Sequence, residues 1–402
     1  MKLPEMKLRN QPGFLPFALP DIGQEEIDEV VDSLRSGWLT TGPKAKRFEK
    51  EFASYVGVPF AFAVNSGTAA LHLALEAVGV SEGEFVVTTP FTFIATAEVI
   101  RYFGAHPLFV DVAPGTMNID AGKMAEAVAK ATEEGKTIRA ILPVHFAGLA
   151  CDLGAIGGVA EKYSLKVVED AAHAFTASWR GKRIGSTGDL TAFSFYATKP
   201  LATGEGGMVT TANKEYARRI TTMRLHGIDR DAWDRQSAGK PNWYYEVIAP
   251  GYKYNLTDVA ASIGIHQLRK AKRFRQHRED IASRYSEAFK DLPVLLPPGP
   301  PEGDLHSWHL YVIRLRLDRL RIGRDRFIER MADRGIETSV HFIPLHIHPY
   351  WKKKYGFRPD DFPVALETYR SCVSLPIYTR MTDADVERVI EAVKEILAEN
   401  SL

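Results

Sequence analysis

Two side chains in one stretch of the sequence could do chemistry together: the carboxylate of Asp170 and the amine of Lys199. Asp170 follows residues 166–169 (KVVE), which we predict to be a short buried strand. Lys199 follows residues 190–196 (LTAFSFY), whose aromatic content predicts a second strand. Pyridoxal phosphate has a ring nitrogen that a carboxylate keeps protonated and an aldehyde that an amine captures as a Schiff base. The pair therefore predicts pyridoxal phosphate chemistry.

A second group of residues could hold the phosphate of such a coenzyme. Residues 65–68 (NSGT) open the helical pattern TAALHLALEAVG, and the free N–H groups at a helix start suit a phosphate. Gly67 would let the backbone approach closely, and Thr68 adds a hydroxyl. Ser194, inside FSF, could reach the phosphate from the next strand. An ordinary helix cap and a buried serine with a hydrogen-bond partner would explain the same residues. They indicate a phosphate site only because Asp170 and Lys199 occur in the same sequence.

Two further residues could contact the coenzyme ring. Phe93, in PFTFIAT, could stack on a flat ring, and core packing at a helix start is the alternative. His173 lies one short turn past Asp170 and could form a hydrogen bond with the phenolic oxygen of the coenzyme or with the acid. A buried histidine with an internal partner is the other interpretation of His173.

The elements that must position these residues form a repeating pattern. Between about residues 60 and 210, short apolar runs alternate with helical patterns, which predicts an α/β fold with a mostly parallel sheet flanked by helices. Sites in such folds gather at the carboxyl ends of strands. We expect residues 255–290 to form a long connecting helix, followed by a Pro/Gly-rich linker at residues 295–304. The predicted domains are a large coenzyme-binding domain, residues 1–291, and a smaller α+β domain, residues 292–402.

Composition narrows the remaining function classes. The chain has 402 residues, 45% hydrophobic and 25% charged, with a formal net charge of +1, as expected for an ordinary globular protein without a field that attracts nucleic acid or membranes. With only Cys151 and Cys372, a disulfide framework and a cysteine-ligated metal cluster are excluded. The histidines at 341, 346 and 348 have no acid at ligand spacing, so we expect no metal. Lacking a signal-peptide or membrane-span pattern, the protein is expected to be cytoplasmic.

Several motifs in register resemble one family. The segments NSGTAALHLAL, PFTFIATA, PVHFAG, EDAAHA, FSFYATKPLATGEGG and GYKYNLTDVAASIGIHQL are similar to those of the DegT-type, or StrS-type, sugar aminotransferases. SVHFIPLHIHPYW and SLPIYTRMTDADVERVI extend the resemblance into the C-terminal part. The resemblance implies a fold-type-I pyridoxal phosphate enzyme that forms a homodimer with its active sites at the subunit interface.

The resemblance also implies roles for matched residues. Lys199 would be the Schiff-base lysine, and Asp170 would be the partner of the pyridine nitrogen. His173 stands where many members have Gln, and His there resembles the branch that makes 4-amino nucleotide sugars. The remaining implied coenzyme contacts are Gly67, Thr68 and Ser194 to the phosphate, Phe93 over the ring, and Lys253 or Asn255 to the phosphate of the neighbouring subunit.

The expected reaction is transfer of an amino group from an amino acid, glutamate by resemblance, to C4 of a nucleotide-linked 4-keto sugar. Amination at C3, a lyase or amino-acid aminotransferase of the same fold, and a non-catalytic coenzyme-binding regulator remain alternatives. Candidate substrate-contacting segments are residues 38–41, 226–229 and 341–350.

Overall fold

The computed structural model describes residues 13–229 and 243–402. Within these residues no helix is both long and apolar enough to cross a membrane. A seven-stranded sheet and a three-stranded sheet organise the chain. The α/β architecture predicted from the alternating pattern is confirmed, with helices packed on a mostly parallel central sheet.

The elements of the N-terminal part alternate as the sequence predicts. They are α1 (Gln24–Ser36), α2 (Pro43–Val56), β1 (Phe60–Val64), α3 (Gly67–Ala77), β2 (Phe85–Thr88), α4 (Ile94–Tyr102), β3 (His106–Phe109), α5 (Ala121–Glu133), β4 (Ile138–Ile141), α6 (Leu153–Tyr163), β5 (Lys166–Asp170), β6 (Ser178–Trp179), β7 (Lys182–Arg183), β8 (Leu190–Ser194), β9 (Gly207–Thr211) and α7 (Lys214–Met223). The strand predicted over residues 190–196 therefore ends two residues earlier, at Ser194.

The order of strands in the central sheet is β1-β9-β8-β5-β4-β2-β3. Strand β9 is antiparallel to both of its neighbours, and the other strand pairs are parallel. The carboxyl ends of β2, β4, β5 and β8 therefore share one edge. This edge carries Asp170 at the end of β5 and Ser194 at the end of β8, as expected for a site in a parallel sheet.

The C-terminal part adds the small sheet and its helices. Its elements are α8 (Asp258–Arg269), α9 (Ala271–Phe289), β10 (Val294–Leu295), β11 (Tyr311–Leu315), α10 (Arg324–Asp333), α11 (Pro349–Tyr355), α12 (Pro363–Ser371), β12 (Cys372–Leu375) and α13 (Asp383–Asn400). Strands β10, β11 and β12 pair in antiparallel fashion. Ile281, Tyr285 and Phe289 of α9 pack into the same apolar cluster as this sheet, so α9 connects the two sheets.

The single long helix expected over residues 255–290 is wrong. The chain forms α8 and α9 with Lys270 between them. The Lys270 ammonium binds the buried carboxylate of Glu26 on α1 at 2.7 Å, and this long-range contact holds the junction. Because neither Gly nor Pro marks the break, the local sequence gives no sign of it.

Candidate active site

A cavity of about 530 Å³ lies at the carboxyl edge of the central sheet. All but two of the predicted site residues line it: Gly67, Thr68, Phe93, Asp170, His173, Ser194 and Lys199. Residues far apart in the sequence meet here because the loops after β1, β2, β5 and β8 open at the same edge of the sheet.

The Asp170 carboxylate forms the floor of this cavity. The side chain is only 4% exposed, and burial raises its pKa above the ordinary value for an aspartate. Its oxygens accept hydrogen bonds from the Thr96 hydroxyl (2.8 Å) and the Ala172 N–H (3.1 Å). These donors fix the carboxylate in place, and a cationic group entering the cavity would stabilise its ionised form.

The Lys199 amine enters the cavity from the connection between β8 and β9. The base of this connection is closed by backbone hydrogen bonds, from Phe195 N–H to Gly206 O (2.8 Å) and from Thr203 N–H to Phe195 O (2.9 Å). Burial lowers the pKa of Lys199 from 10.5 to about 8, and the Asp170 charge opposes that shift. With this pKa, about a tenth of the amine is neutral, and nucleophilic, at pH 7, far more than in an ordinary lysine.

The start of α3 and Ser194 form a part of the cavity lining that suits an anion, here called the anion-binding surface. Helix α3 begins at Gly67, and its first helical hydrogen bond is made by Ala70 N–H to Ser66 O (3.1 Å). The Gly67 and Thr68 N–H groups precede that bond at the positive end of the helix dipole. A Cβ at position 67 would lie 2.8 Å from the Ser194 Cβ. Only glycine therefore lets the helix start and the serine approach this closely, and together they suit a phosphate.

His173 occupies the wall beside the carboxylate. It is buried, and both desolvation and the nearby Lys199 charge hold its pKa well below the ordinary value, so the ring is neutral. Its Nδ1 accepts a hydrogen bond from Ala147 N–H at 3.3 Å. The ring stacks on Phe342 with centroids 5.8 Å apart, whereas Phe93 stands at the rim and is 56% exposed.

Lys253 and Asn255 lie outside the cavity of their own chain. The Lys253 ammonium donates to Asn255 Oδ1 at 2.7 Å, and the Lys253 carbonyl accepts from the Asn65 side chain at 3.2 Å. The Asn255 amide also donates to the Thr41 hydroxyl at 2.7 Å. The two residues therefore lie beside the start of α3 without lining the cavity.

Thr96 and His309 line the cavity but are missing from the sequence prediction, and Phe342 is predicted only as part of the substrate-contacting segment 341–350. Thr96 binds Asp170, His309 Nε2 lies 3.4 Å from Lys199 Nζ, and Phe342 covers His173. Thr96 could have been found, because it follows Phe93 by about one turn of a predicted helix. His309 and Phe342 come from the C-terminal part, and their positions depend on tertiary packing.

The histidines of the C-terminal loop have partners other than a metal. His341 Nδ1 contacts the Ser374 hydroxyl at 2.8 Å, and His346 Nε2 contacts the Pro359 carbonyl at 3.0 Å. Across residues 13–229 and 243–402, no three His, Cys, Asp or Glu side chains cluster as metal ligands. Of the candidate substrate segments, residues 341–350 reach the cavity through His341 and Phe342, and those at 38–41 and 226–229 lie outside it.

Comparison with known proteins agrees with this geometry. The model of the DegT/DnrJ/EryC1/StrS aminotransferase family matches residues 20–394. The spore coat polysaccharide biosynthesis protein SpsC of Bacillus subtilis is 49% identical over 385 residues, covering 96% of this chain and 97% of SpsC. The putative sugar aminotransferase Spr1654 of Streptococcus pneumoniae, solved with pyridoxamine phosphate, superposes with a TM-score of 0.88 at 32% identity, covering 96% and 99% of the two chains. Helicobacter pylori PseC, an aminotransferase of pseudoaminic acid biosynthesis, gives 0.84 at 27% identity, covering 96% and 100%.

Proposed function

The chain belongs to the DegT/DnrJ/EryC1/StrS aminotransferase family and is a pyridoxal-phosphate-dependent sugar aminotransferase; from this premise we propose that it aminates C4 of a nucleotide-linked 4-keto sugar, with glutamate as the amino donor. The observation that carries the proposal is the pairing of the Lys199 amine with the Asp170 carboxylate around one cavity, beside His173.

The residues present fit the coenzyme. Pyridoxal phosphate, when bound, supplies an aldehyde carbon and an electron-accepting ring. Asp170 would hold the protonated ring nitrogen, and the N–H groups of Gly67 and Thr68, together with the Ser194 hydroxyl, would hold the phosphate. The Gly67–Ser194 approach supports this assignment, because a side chain at position 67 would fill the space that the anion needs.

Lys199 would move the protons of the reaction. Its amine would hold the coenzyme covalently, and the amino-acid donor would release it. The free amine would then take the α-proton of the donor and deliver a proton to carbon C4′ of the coenzyme. A pKa of about 8 suits both tasks, since the amine is then readily protonated and deprotonated near neutral pH.

His173 supports amination at C4 rather than at C3. Its neutral ring offers one N–H donor, and by resemblance a histidine here marks the branch that makes 4-amino nucleotide sugars. Two relatives support a sugar acceptor: SpsC is named for spore coat polysaccharide biosynthesis, and PseC is named for pseudoaminic acid biosynthesis. Amination at C3 and a non-catalytic, coenzyme-binding regulator are the competing functions.

We propose that two copies of the chain complete two sites. Lys253 and Asn255 lie beside the helix start that would bind the phosphate, but they do not line the cavity of their own chain, which supports a role at the neighbouring subunit's phosphate. Exposed apolar side chains such as Phe93 and Tyr196 at the cavity rim would be covered in such a dimer.

The domain boundary at Leu292 and a cytoplasmic location are further parts of the proposal. Two buried free cysteines support the cytoplasmic location.

An absorbance titration tests the proposed function. Purified protein loaded with pyridoxal phosphate should show a visible band that glutamate removes, and Lys199→Ala should lack it. Addition of a UDP- or dTDP-4-keto sugar should then restore the band. It should also yield an amino sugar, in which NMR locates the new nitrogen. A band that glutamate leaves unchanged would support the regulator, and nitrogen found at C3 would refute the C4 assignment.

A further inference from the structure

A second acid stands next to Asp170 and belongs to no part of the cavity wall. Glu169 precedes Asp170 on β5, so its side chain points to the opposite face of the sheet. It is fully buried, as is His145, whose Nε2 lies 2.7 Å from Glu169 Oε2. The Thr187 hydroxyl also donates to this carboxylate at 2.7 Å. Burying a carboxylate costs desolvation free energy even when it is hydrogen-bonded. We therefore expect Glu169 to have a function.

The hydrogen bonds assign the proton on the His145 ring. Its Nδ1 accepts the backbone N–H of Cys151 at 3.0 Å. The Cys151 N–H occupies the lone pair of Nδ1, so the ring proton that faces Glu169 lies on Nε2. The Nε2–H group therefore donates to Glu169, and this bond holds the His145 ring in one orientation.

His145 also begins a turn that reaches the cavity. The turn covers Phe146–Gly148, and Ala147 within it has φ +57° and ψ −2°, a left-handed conformation that an alanine adopts only when its surroundings hold it. This conformation aims the Ala147 N–H at His173 Nδ1 over 3.3 Å. The proton of neutral His173 is therefore on Nε2, which makes that nitrogen a donor.

The same residue is tied to the coenzyme carboxylate through the backbone. The His145 N–H donates to the Asp170 carbonyl at 3.1 Å, and the Asp170 N–H donates to the Pro143 carbonyl at 2.9 Å. His145 thus connects Glu169 behind the sheet to both Asp170 and His173 in front of it.

We propose that His145 and Glu169 form a positioning pair that fixes the tautomer of His173 and the placement of Asp170. The inference rests on the proposed function, since it assumes that these two residues contact the coenzyme. Glu169 holds the His145 ring, His145 holds the turn, and the turn presents the Ala147 N–H that keeps the proton of His173 on Nε2. That N–H group would then be available to donate to the phenolic oxygen of the coenzyme.

The test is nitrogen NMR of the coenzyme-free protein carrying isotopically labelled histidine, which reports the tautomer of His173 without any turnover. Wild-type protein should show a protonated Nε2 and an unprotonated Nδ1 at His173. Glu169→Leu removes the acceptor of His145, so the His173 signals should shift to a mixture of tautomers. Glu169→Gln keeps an acceptor oxygen and should retain the wild-type pattern.

Coenzyme binding provides the second readout. We expect Glu169→Leu to raise the dissociation constant for pyridoxal phosphate by about tenfold or more, and Glu169→Gln to change it by less than about threefold. Thr210→Val is the matched control, because it removes another fully buried hydrogen bond of the same sheet, to Gly185 O at 2.8 Å. It should lower the melting temperature and leave the His173 signals unchanged.

Three results would overturn the proposal. The first is a wild-type spectrum with the His173 proton on Nδ1, which needs no variant to fold. The second is Glu169→Leu with the wild-type tautomer and wild-type affinity despite a lower melting temperature. The third is a loss in Glu169→Gln as large as in Glu169→Leu, which would make charge, not the hydrogen bond, the important property. None of these results affects the absorbance test of the transamination itself.

Discussion

The hydroxyl of Thr96 donates a hydrogen bond to Oδ2 of Asp170 over 2.8 Å, and both residues are buried. Thr96 lies on α4, whereas Asp170 ends β5, so the contact joins a helix to the carboxyl edge of the sheet. The Thr96 hydroxyl in turn contacts Thr92 Oγ1 at 2.7 Å. Burial raises the pKa of Asp170, and the hydrogen bond from Thr96 opposes that rise by stabilising the ionised carboxylate.

Replacing Thr96 with Val should weaken coenzyme binding. The substitution keeps the side-chain shape but removes a donor to Asp170, so the pKa of Asp170 should rise further. We expect a loss of about 1 kcal/mol, or roughly fivefold in the dissociation constant of pyridoxal phosphate. Thr88→Val is the control, because it loses a comparable buried bond to Leu142 O at 2.8 Å away from the carboxylate. Equal affinities for the two variants would contradict the prediction.

Capture of the coenzyme by Lys199 should depend on pH with a midpoint near 8. The folded protein lowers the pKa of this amine from 10.5 to about 8 through burial. Below that pH the ammonium form predominates and cannot attack the aldehyde; as the pH rises through the midpoint, the neutral amine appears and the rate increases. The rate is measured as growth of the visible band after pyridoxal phosphate is added to coenzyme-free protein. A midpoint above about 10, the range of an ordinary lysine, would show that the amine is not desolvated.

Gly67→Ala should reduce coenzyme affinity without unfolding the protein. The new methyl group would lie 2.8 Å from the Ser194 Cβ, so it would displace the serine and occupy the anion-binding surface. We expect a loss of about tenfold or more in affinity, judged from one displaced donor to a charged phosphate.

The matched control is Gly157→Ala in the middle of α6, where an added Cβ meets nothing within 4 Å. This substitution should raise stability by about 0.5–1 kcal/mol, because alanine favours the helix, and leave coenzyme binding unchanged. Affinity titrations and thermal melts of both variants provide the comparison. If the Gly67→Ala variant binds the coenzyme normally, this surface does not bind the phosphate.

Co-expression of two inactive variants tests the interface site. If Lys253 serves the neighbouring subunit, Lys199→Ala paired with Lys253→Ala should form heterodimers with one complete site each. Random pairing should then restore about a quarter of wild-type activity, since half of the dimers are mixed and each has one of two sites. The same experiment with Asn255→Ala identifies which residue contributes. Absence of recovery in both pairings would place neither residue across the interface.

The sequence predicts the main reactive groups of the cavity because they stand at the ends of secondary-structure elements. Asp170, Ser194 and Gly67 stand at element boundaries that short-range patterns reveal: two strand ends and a helix start. In a parallel sheet such boundaries share one edge, so local prediction already brings these residues together in space.

The remaining features depend on long-range contacts. Lys270, at the break between α8 and α9, binds Glu26, which lies 244 positions away in the sequence. His309 and Phe342 reach the cavity only after the C-terminal part packs against the central sheet. The bonds of His145 to Glu169 and Cys151 involve residues whose types alone suggest nothing. Local sequence patterns do not predict these contacts, because they form only through tertiary packing.

The lysine lies on a connection whose base is closed by its own backbone bonds, from Phe195 to Gly206 and from Thr203 to Phe195. The strands on either side pair with each other and bury their side chains without help from the amine. Over evolutionary time, therefore, a single codon change at position 199 could replace the reactive group while the descendant inherits an intact scaffold. In this architecture the residue that determines the reaction can change without loss of the fold.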